Sequence, residues 1–326
     1  MKNLISTFYI LFFTVSILAQ NNVREVLTLE KNWKFTKGAI KNAQDISFDD
    51  SKWETVVVPH DWAIKGPFDK EIDKQMVAIV QNGEKVPTEK TGRTGALPYI
   101  GVGWYRNEFS LPNFNKDKKV IILFEGAMSE PEIFLNGKKV GSWNYGYSYF
   151  YFDITEHIRA NQKNTLAVKL TNKGLSSRWY PGAGLYRNVR IITKNKESIN
   201  QWGTFITTPI VTKELAKVTI KTKVSGEGLT IVTKILDAQG GLVAINNNSS
   251  IYGNEFDQNI AVNNPNLWSP ETPYLYTSIS QVYKEGILKD EISTRFGIRS
   301  IKYEAEKGFS LNGEITKFKG VCLHHD

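Results

Sequence analysis

Cysteine is almost absent from this chain: Cys322 is the single one among 326 residues. A lone thiol cannot form an intramolecular disulfide, so the folded state must depend on its buried cores. Histidine is also scarce, with four residues, and two of them, His324 and His325, stand among the last three positions. No stretch after residue 20 has a convincing helical periodicity, which argues against a helical fold.

The first twenty residues, MKNLISTFYILFFTVSILAQ, carry an early lysine, an uninterrupted apolar run and a small residue, Ala19, at its exit. This pattern predicts a signal peptide over residues 1–19 and a periplasmic or secreted protein. A retained anchor is the alternative, but the run is too short to favour a membrane-spanning helix. We expect no membrane contact after cleavage. No cysteine follows the run, which excludes lipid attachment there.

The formal net charge is +8, from 41 Lys and Arg against 33 Asp and Glu. These cations are spread along the chain and no nucleic-acid-binding motif accompanies them. The charge therefore indicates a feature that favours solubility, and we expect no nucleic-acid partner.

Almost every segment after the signal has the pattern of a β-strand. KVIILFEGA is a buried apolar run, EIFLNGKKVG is a hairpin around Asn136-Gly137, and SYFYFDIT, NTLAVKL and NVRIITK follow at the spacing of an antiparallel sandwich. Residues 23–195 are therefore predicted to form one all-β domain, long enough for a jelly roll.

A second strand series begins near Trp202, with turns at SGEG, DAQGG and NNPN. Its length of about a hundred residues predicts an immunoglobulin-like β-sandwich over residues 196–300. Residues 301–326 follow as a separate segment that ends in one more predicted strand, ITKFKGVCLHHD.

The polar end of that last strand has three interpretations. Alternate side chains of a strand point to opposite faces, so His324 and Asp326 share one face while Val321, Leu323 and His325 share the other. The group is a solvated terminus, the edge of an active site, or a metal site. A metal needs three or four convergent ligands and the two histidines point apart, so we expect no metal and no cofactor.

Two other motifs are candidates for chemistry. The His60–Asp61 pair has no serine or cysteine nucleophile beside it, which favours a structural turn. Trp179, in RWYPGAG, stands beside an arginine and a turn rich in Gly and Pro, where it suits either sugar stacking or the core. No pair of carboxylates of the kind that glycosidases use stands out.

Several long motifs in order carry a family resemblance. WETVVVPHDW, GVGWYRNEF, FEGA, EIFLNGKKVG, YGYSYFYFDIT, NTLAVKL and SSRWYPGAGLYRNV resemble the sugar-binding jelly roll of glycoside hydrolase family 2. NNPNLWSPETPYLY and TRFGIRSI resemble the end of its immunoglobulin-like domain, and GFSLNGEITKFKGVCLHHD resembles the linker and first strand of its catalytic barrel. The fold expected from this resemblance is all-β: a jelly-roll β-sandwich, an immunoglobulin-like β-sandwich and the first strand of a truncated (β/α)8 barrel.

Within the family, SSRWYPGAGLYRNV and KGVCLHHD are most similar to β-galactosidases, and Cys322, Leu323 and His325 depart from the β-glucuronidase pattern. The resemblance implies that His324 and Asp326 contact the sugar, with Trp179 a further substrate-binding candidate. It also implies a retaining exo-glycosidase acting on terminal β-galactosides of oligosaccharides or glycans. Its two catalytic glutamates belong to later barrel strands and are not among these 326 residues, so we expect the chain alone to be inactive.

The sandwiches are also expected to carry contacts of a homo-oligomer. Two alternatives from other classes stay open. One is a non-catalytic carbohydrate-binding β-sandwich protein, and the other is a secreted protein that binds metal through its terminal histidines.

Overall fold

A computed structural model of the chain describes residues 23–65, 69–71, 74–91, 101–173, 182–247 and 249–322. Throughout these ranges the regular backbone is β-strand, apart from two single turns of 3-10 helix at Val80–Asn82 and Thr155–His157. The predicted all-β class is therefore confirmed. The predicted signal peptide lies outside the described residues.

The first sandwich packs a four-stranded sheet against a six-stranded sheet, with strand orders β1-β12-β7-β10 and β3-β2-β6-β11-β8-β9. All of the pairings within the two sheets are antiparallel. The hairpin β4-β5 is a separate two-stranded unit. The strands are β1 (Arg24–Thr28), β2 (Trp33–Lys37), β3 (Glu54–Val56), β4 (Lys74–Val77), β5 (Thr88–Thr91), β6 (Val102–Ser110), β7 (Lys118–Phe124), β8 (Glu132–Leu135), β9 (Lys138–Ser142), β10 (Phe150–Asp153), β11 (Lys163–Thr171) and β12 (Val189–Asn195).

Large side chains from both sheets fill the space between them. Trp33 and Tyr105 of the six-stranded sheet and Phe124 and Phe150 of the four-stranded sheet are at most 1% exposed. The rings of Phe124 and Phe150 stack at 4.9 Å between centroids. Aromatic side chains bury the most apolar area per residue, which is how a sandwich without disulfides obtains its stability.

The hairpin between β8 and β9 has the predicted turn. Asn136 and Gly137 both have positive φ, at 52° and 82°, as a two-residue type I′ turn requires. The side chain of Asn136 also donates to the backbone carbonyl of His157 (2.8 Å) and accepts from the backbone N–H of Thr165 (2.9 Å). This asparagine therefore closes the hairpin and fixes its position on the sheet.

The second sandwich consists of two four-stranded sheets, β13-β14-β18-β17 and β16-β15-β19-β20. In β14 alternate residues are buried, from Ala216 through Val218 and Ile220, because one face of the sheet covers the core and the other meets solvent. The strands are β13 (Ser198–Val211), β14 (Leu215–Ser225), β15 (Leu229–Leu236), β16 (Leu242–Asn246), β17 (Ser250–Tyr252), β18 (Glu255–Asn263), β19 (Tyr276–Lys284) and β20 (Ile287–Phe296).

A three-stranded meander follows, with β21 (Ile301–Glu304), β22 (Gly308–Leu311) and β23 (Glu314–Ile315). The side chain of Asn312 joins it to the second sandwich, since it donates to the carbonyl of Trp268 (3.0 Å) and accepts from the N–H of Ser300 (3.0 Å). The predicted strand ITKFKGVCLHHD is not confirmed. Only its first residue, Ile315, is in a strand, and residues 316–322 have no strand partner, as expected where no neighbouring barrel strand is present to pair with them.

A buried polar network, which we call the interdomain joint, links the two sandwiches. The Arg24 guanidinium donates to both carboxylate oxygens of Asp290, at 3.1 and 2.5 Å, and the Asp290 side chain is fully buried. Asp290 also accepts from the backbone N–H of Ile199 (2.8 Å), and Lys194 donates to the carbonyl of the same residue (2.6 Å). The first and last strands of the described sandwiches, β1 and β20, thus meet in one ionic contact.

Burial lowers the pKa of the Lys194 ammonium to about 8, with a further contribution from the nearby Arg24 charge. Lys194 is only 2% exposed. Asp290 acts in the opposite direction and partly offsets the cost of burying this cation. The joint therefore depends on Asp290 as the anion that faces two cations.

Candidate functional site

Five loops of the first sandwich meet at one end of its strands and form a surface that we call the loop cluster. It comprises residues 57–65, 125–131, 143–149, 171–173 and 182–188. Backbone hydrogen bonds join the loops: the N–H of His60 donates to Leu185, and the N–H of Trp62 donates to Ala183. The cluster is thus built mostly by the backbone, which explains why loops so rich in Gly and Pro hold fixed positions.

Gly184 lies at the centre of the loop cluster. Its N–H and C=O are both paired with the backbone of Met128, at 2.8 and 2.9 Å. Its φ is +130°, and a Cβ atom there would stand 2.3 Å from the carbonyl oxygen of His60 and 2.6 Å from the hydroxyl of Tyr105. Three loops therefore approach one another only because this residue has no side chain.

The predicted turn at His60–Asp61 is present and is anchored in the core. The carboxylate of Asp61 accepts from the N–H of Ala63 (2.9 Å), which is an Asx turn. The next residue, Trp62, is 1% exposed and stacks on Phe35 at 5.5 Å between ring centroids. The turn thus has a structural role, as the sequence indicated, and it also places Asp61 beside Gly182 in the loop cluster.

His60 is held beneath the loop cluster as a neutral imidazole. Its Nδ1 lies 2.7 Å from the Tyr105 hydroxyl, whose oxygen accepts from the backbone N–H of Leu185. We therefore assign the hydroxyl proton to the bond with Nδ1, which places the imidazole proton on Nε2. Nε2 is buried without a hydrogen-bond partner in the described part of the chain, and such an atom requires an explanation.

Burial lowers the pKa of the His60 imidazole below its usual value, and the Lys65 charge lowers it further. The unfolded chain then binds the proton more readily than the folded one. Stability is complete above about pH 6.5, the ordinary histidine pKa, and falls as the pH decreases from there towards the folded pKa.

We expect the free energy of unfolding to fall more steeply below pH 6.5 in the unmodified chain than in a His60→Asn variant. Urea denaturation at pH 8 and at pH 5.5 measures this difference. His157→Asn is the matched control and should keep the steeper dependence. An equal pH dependence in the unmodified chain and in His60→Asn would contradict a buried neutral imidazole.

An aromatic surface borders the turn. Tyr145, Tyr147 and Tyr149 are 60, 45 and 47% exposed. The Tyr186 hydroxyl donates to the carbonyl of Gly146 (2.7 Å) and holds this tyrosine-rich loop against the 182–188 loop. Exposed ring faces beside polar groups suit the mixed apolar and hydroxyl surface of a sugar.

The substrate-binding residues predicted from the sequence, Trp179, His324 and Asp326, lie outside the described residues, so their roles stay predictions. On either side of segment 174–181, the Asn172 side chain donates to the carbonyl of Gly182 (2.9 Å). Both flanks of the segment that carries Trp179 therefore belong to the loop cluster.

The sequence prediction missed Tyr105, Met128, Gly146 and Tyr186 as parts of this surface. The only local signal was the density of tyrosine in WNYGYSYFYFD. Within the described ranges, no group of three or more His, Cys, Asp or Glu could hold a metal ion. Nor does any helix in the same ranges have the length and apolar character needed to cross a membrane.

Two family models match the chain. The one described as "Glycosyl hydrolases family 2, sugar binding domain" matches residues 26–195, and the one described as "Glycosyl hydrolases family 2" matches residues 198–299. Each model coincides with one of the two sandwiches.

Curated relatives include the β-galactosidase BoGH2A of Bacteroides ovatus, 36% identical over 313 residues that are 93% of this chain and 35% of the relative. A β-glucuronidase of Formosa agariphila is 28% identical over 91% of this chain and 32% of the relative. The chain thus spans about a third of the length of these curated relatives.

Among solved structures, a glycosyl hydrolase family 2 member from Bacteroides cellulosilyticus is similar with a TM-score of 0.81 and 31% identity. The match covers 92% of this chain and 39% of that one. The two sandwiches, their order along the chain and the matching family models together show that this chain belongs to the glycosyl hydrolases of family 2.

Proposed function

We propose that the chain is the non-catalytic front region of a retaining exo-glycosidase that removes terminal β-galactosyl units from oligosaccharides or glycans. The observation that carries the proposal is the 36% identity to a β-galactosidase over 93% of the chain. In this proposal the two catalytic glutamates lie outside these 326 residues. One attacks the anomeric carbon, and the other protonates the leaving oxygen and then activates water.

In the proposed enzyme the loop cluster forms one rim of the substrate pocket. The exposed faces of Tyr145, Tyr147 and Tyr149 support this role because they offer apolar surface beside polar loops. The buried Nε2–H of His60 supports it as well, since it leaves a hydrogen-bond donor unused under the rim. Trp179, His324 and Asp326 are proposed to contact the sugar.

The chain alone should not hydrolyse nitrophenyl β-galactoside. A retaining glycosidase needs two carboxyl groups about 5 Å apart across the glycosidic bond, and a misplacement of an ångström can lower the rate about a hundredfold. The measurement is an assay of the purified 326-residue chain, with the Bacteroides ovatus β-galactosidase as the positive control. Turnover that survives repurification and disappears on changing a carboxylate within residues 20–326 would contradict the proposal.

A chimera tests the specificity. This chain replaces the matching 313-residue region of the Bacteroides ovatus enzyme, and both nitrophenyl β-galactoside and nitrophenyl β-glucuronide are assayed. We expect hydrolysis of the galactoside, and a clear loss of kcat/KM in the chimera that carries His324→Ala or Asp326→Ala. A preference for the glucuronide would favour the second candidate, a β-glucuronidase, which the similarity to the Formosa agariphila enzyme supports.

Export is part of the proposal and follows from the apolar N-terminal run. Mass spectrometry of the protein recovered from the periplasm or medium should find its first residue near Gln20, and an intact Met1 on cytoplasmic protein would contradict export. Glycan binding by a chain whose downstream sequence adds no catalytic region would favour the non-catalytic alternative.

A further inference from the structure

A groove of about 470 Å³ crosses the outer face of the six-stranded sheet. Strands β2, β6 and β11 form its floor, through Lys34, Arg106 and Thr165, and a loop carrying Ile46 and Phe48 forms a wall. Its volume falls within the range of roughly 300–1,000 Å³ that is usual for small-molecule sites. Neither sandwich core contributes its apolar side to this groove, so its chemistry is that of the outer sheet face.

Arg106 is the fixed donor of the groove. It is 3% exposed, and its Nε donates to the Asp50 carboxylate at 2.6 Å. Its Nη1 donates to the carbonyls of Ala43 (2.6 Å) and Asp45 (3.0 Å). Nη2 carries two further N–H donors and has no hydrogen-bond partner among the residues that the structure describes. The guanidinium is thus held rigidly, with one nitrogen left for a ligand.

A hydroxyl and a carboxylate lie beside this donor. Thr165 is 4% exposed, and its hydroxyl likewise has no hydrogen-bond partner in the described ranges. Glu108 is the direct cross-strand neighbour of Thr165 and forms an exposed ion pair with Lys163 at 2.9 Å. Side chains opposed in this way stand about 5 Å apart, which is close to the spacing of hydroxyls around a sugar ring.

The wall supplies the apolar contact. Ile46 is 46% exposed, and the Phe48 ring lies 5.6 Å from the Arg106 guanidinium carbon, which holds the ring in position. A pyranose has hydroxyls around its edge and C–H groups on its faces. Donors and an acceptor on the floor, with an apolar wall above them, match both parts of that surface.

Charge and position define the site further. The Arg106–Asp50 and Lys163–Glu108 pairs each cancel, so the groove does not require an anionic ligand. Thr165 stands six residues before the loop-cluster end of β11, which is a distance of about 20 Å along a strand. The groove is therefore separate from the loop cluster.

We propose that this groove binds a neutral hexopyranose unit of a glycan, at a site distinct from the substrate pocket to which the loop cluster contributes. Such a site would keep the protein on a glycan while another part of it is being processed. This binding depends only on the first sandwich, so it can hold or fail whatever the proposed hydrolysis does.

Titrations of the 326-residue chain with lactose and with cellobiose, followed by backbone amide NMR, test the proposal. We expect saturable shifts at Ser110 and Thr165. Glu108→Ala and Thr165→Val should each weaken binding about tenfold, the effect of losing about 1.4 kcal/mol. Glu214→Ala, an exposed glutamate of the second sandwich, and Tyr147→Ala, in the loop cluster, should bind as the unmodified chain does.

Thermal melting of each variant controls for folding, since the Glu108–Lys163 pair is exposed and adds little stability. Three results would overturn the proposal: no saturable shift with either sugar, shifts confined to the loop cluster, or equal binding by both groove variants and the unmodified chain. Binding of glucuronate without either neutral sugar would overturn it as well.

Discussion

Replacing Asp290 by alanine should lower the free energy of unfolding by about 3–5 kcal/mol, because removing one partner of a buried ion pair leaves the other charge uncompensated. Here two cations lose their anion, since Arg24 pairs with Asp290 directly and the Lys194 ammonium is buried nearby. The backbone N–H of Ile199 also loses its acceptor. Urea denaturation at pH 7 measures the loss.

The same substitution should separate the unfolding of the two sandwiches. The interdomain joint supplies the ionic contact between them, so calorimetry of Asp290→Ala should show two transitions where the unmodified chain shows one. Asp290→Asn keeps an acceptor for Ile199 and should fall between the two. The matched control is Asp117→Ala, an exposed turn residue, which should stay within about 0.5 kcal/mol of the unmodified chain. A loss below about 1 kcal/mol in Asp290→Ala would refute the importance of the joint.

Gly184→Ala should destabilise the first sandwich by more than about 4 kcal/mol, a loss reserved for a few severe mechanisms. Two of them coincide here. The left-handed φ of +130° disfavours any side chain, and the new Cβ would stand 2.3 Å from the backbone carbonyl oxygen of His60. That carbonyl cannot rotate away as a flexible side chain could, so the loops themselves must separate. Chemical denaturation and the amide spectrum of the loop cluster report both effects.

Gly228→Ala isolates the conformational part of that cost. Gly228 has a φ of +67°, and no atom lies within 4 Å of the position that a Cβ would occupy, so only the backbone preference opposes alanine. We expect a loss of about 1–2 kcal/mol there. If Gly184→Ala costs no more than Gly228→Ala, the close approach of the loops at Gly184 is wrong.

The parts of this fold that local sequence determines were predictable. Asn136-Gly137 specifies its own turn, since both residues must accept positive φ, and the alternation of Ala216, Val218 and Ile220 specifies a half-buried strand. The turn at His60 was also predicted, because Asp61 can bond to the backbone two residues later. In each case the cause lies within a few residues of its effect.

The loop cluster and the groove depend on contacts between distant segments, which local patterns do not contain. Arg106 belongs to an apparently ordinary strand, and its partners Ala43, Asp45 and Asp50 come from a loop some sixty residues earlier. The final strand was overpredicted for the converse reason. Its apolar alternation is a genuine strand pattern, but a strand also needs a neighbour, and residues 316–322 have none.

The interdomain joint also has a consequence for the order of folding. Arg24 and Asp290 are 266 residues apart in sequence, and strand β1 pairs with β12, which begins at Val189. A chain emerging from its N-terminus must therefore keep β1 without its neighbour until most of the first sandwich has been delivered, and must keep Arg24 without its anion for longer still. Contacts of such high order form slowly. An unpaired strand edge is meanwhile open to other chains, so the yield of folded protein should depend on how long that edge waits.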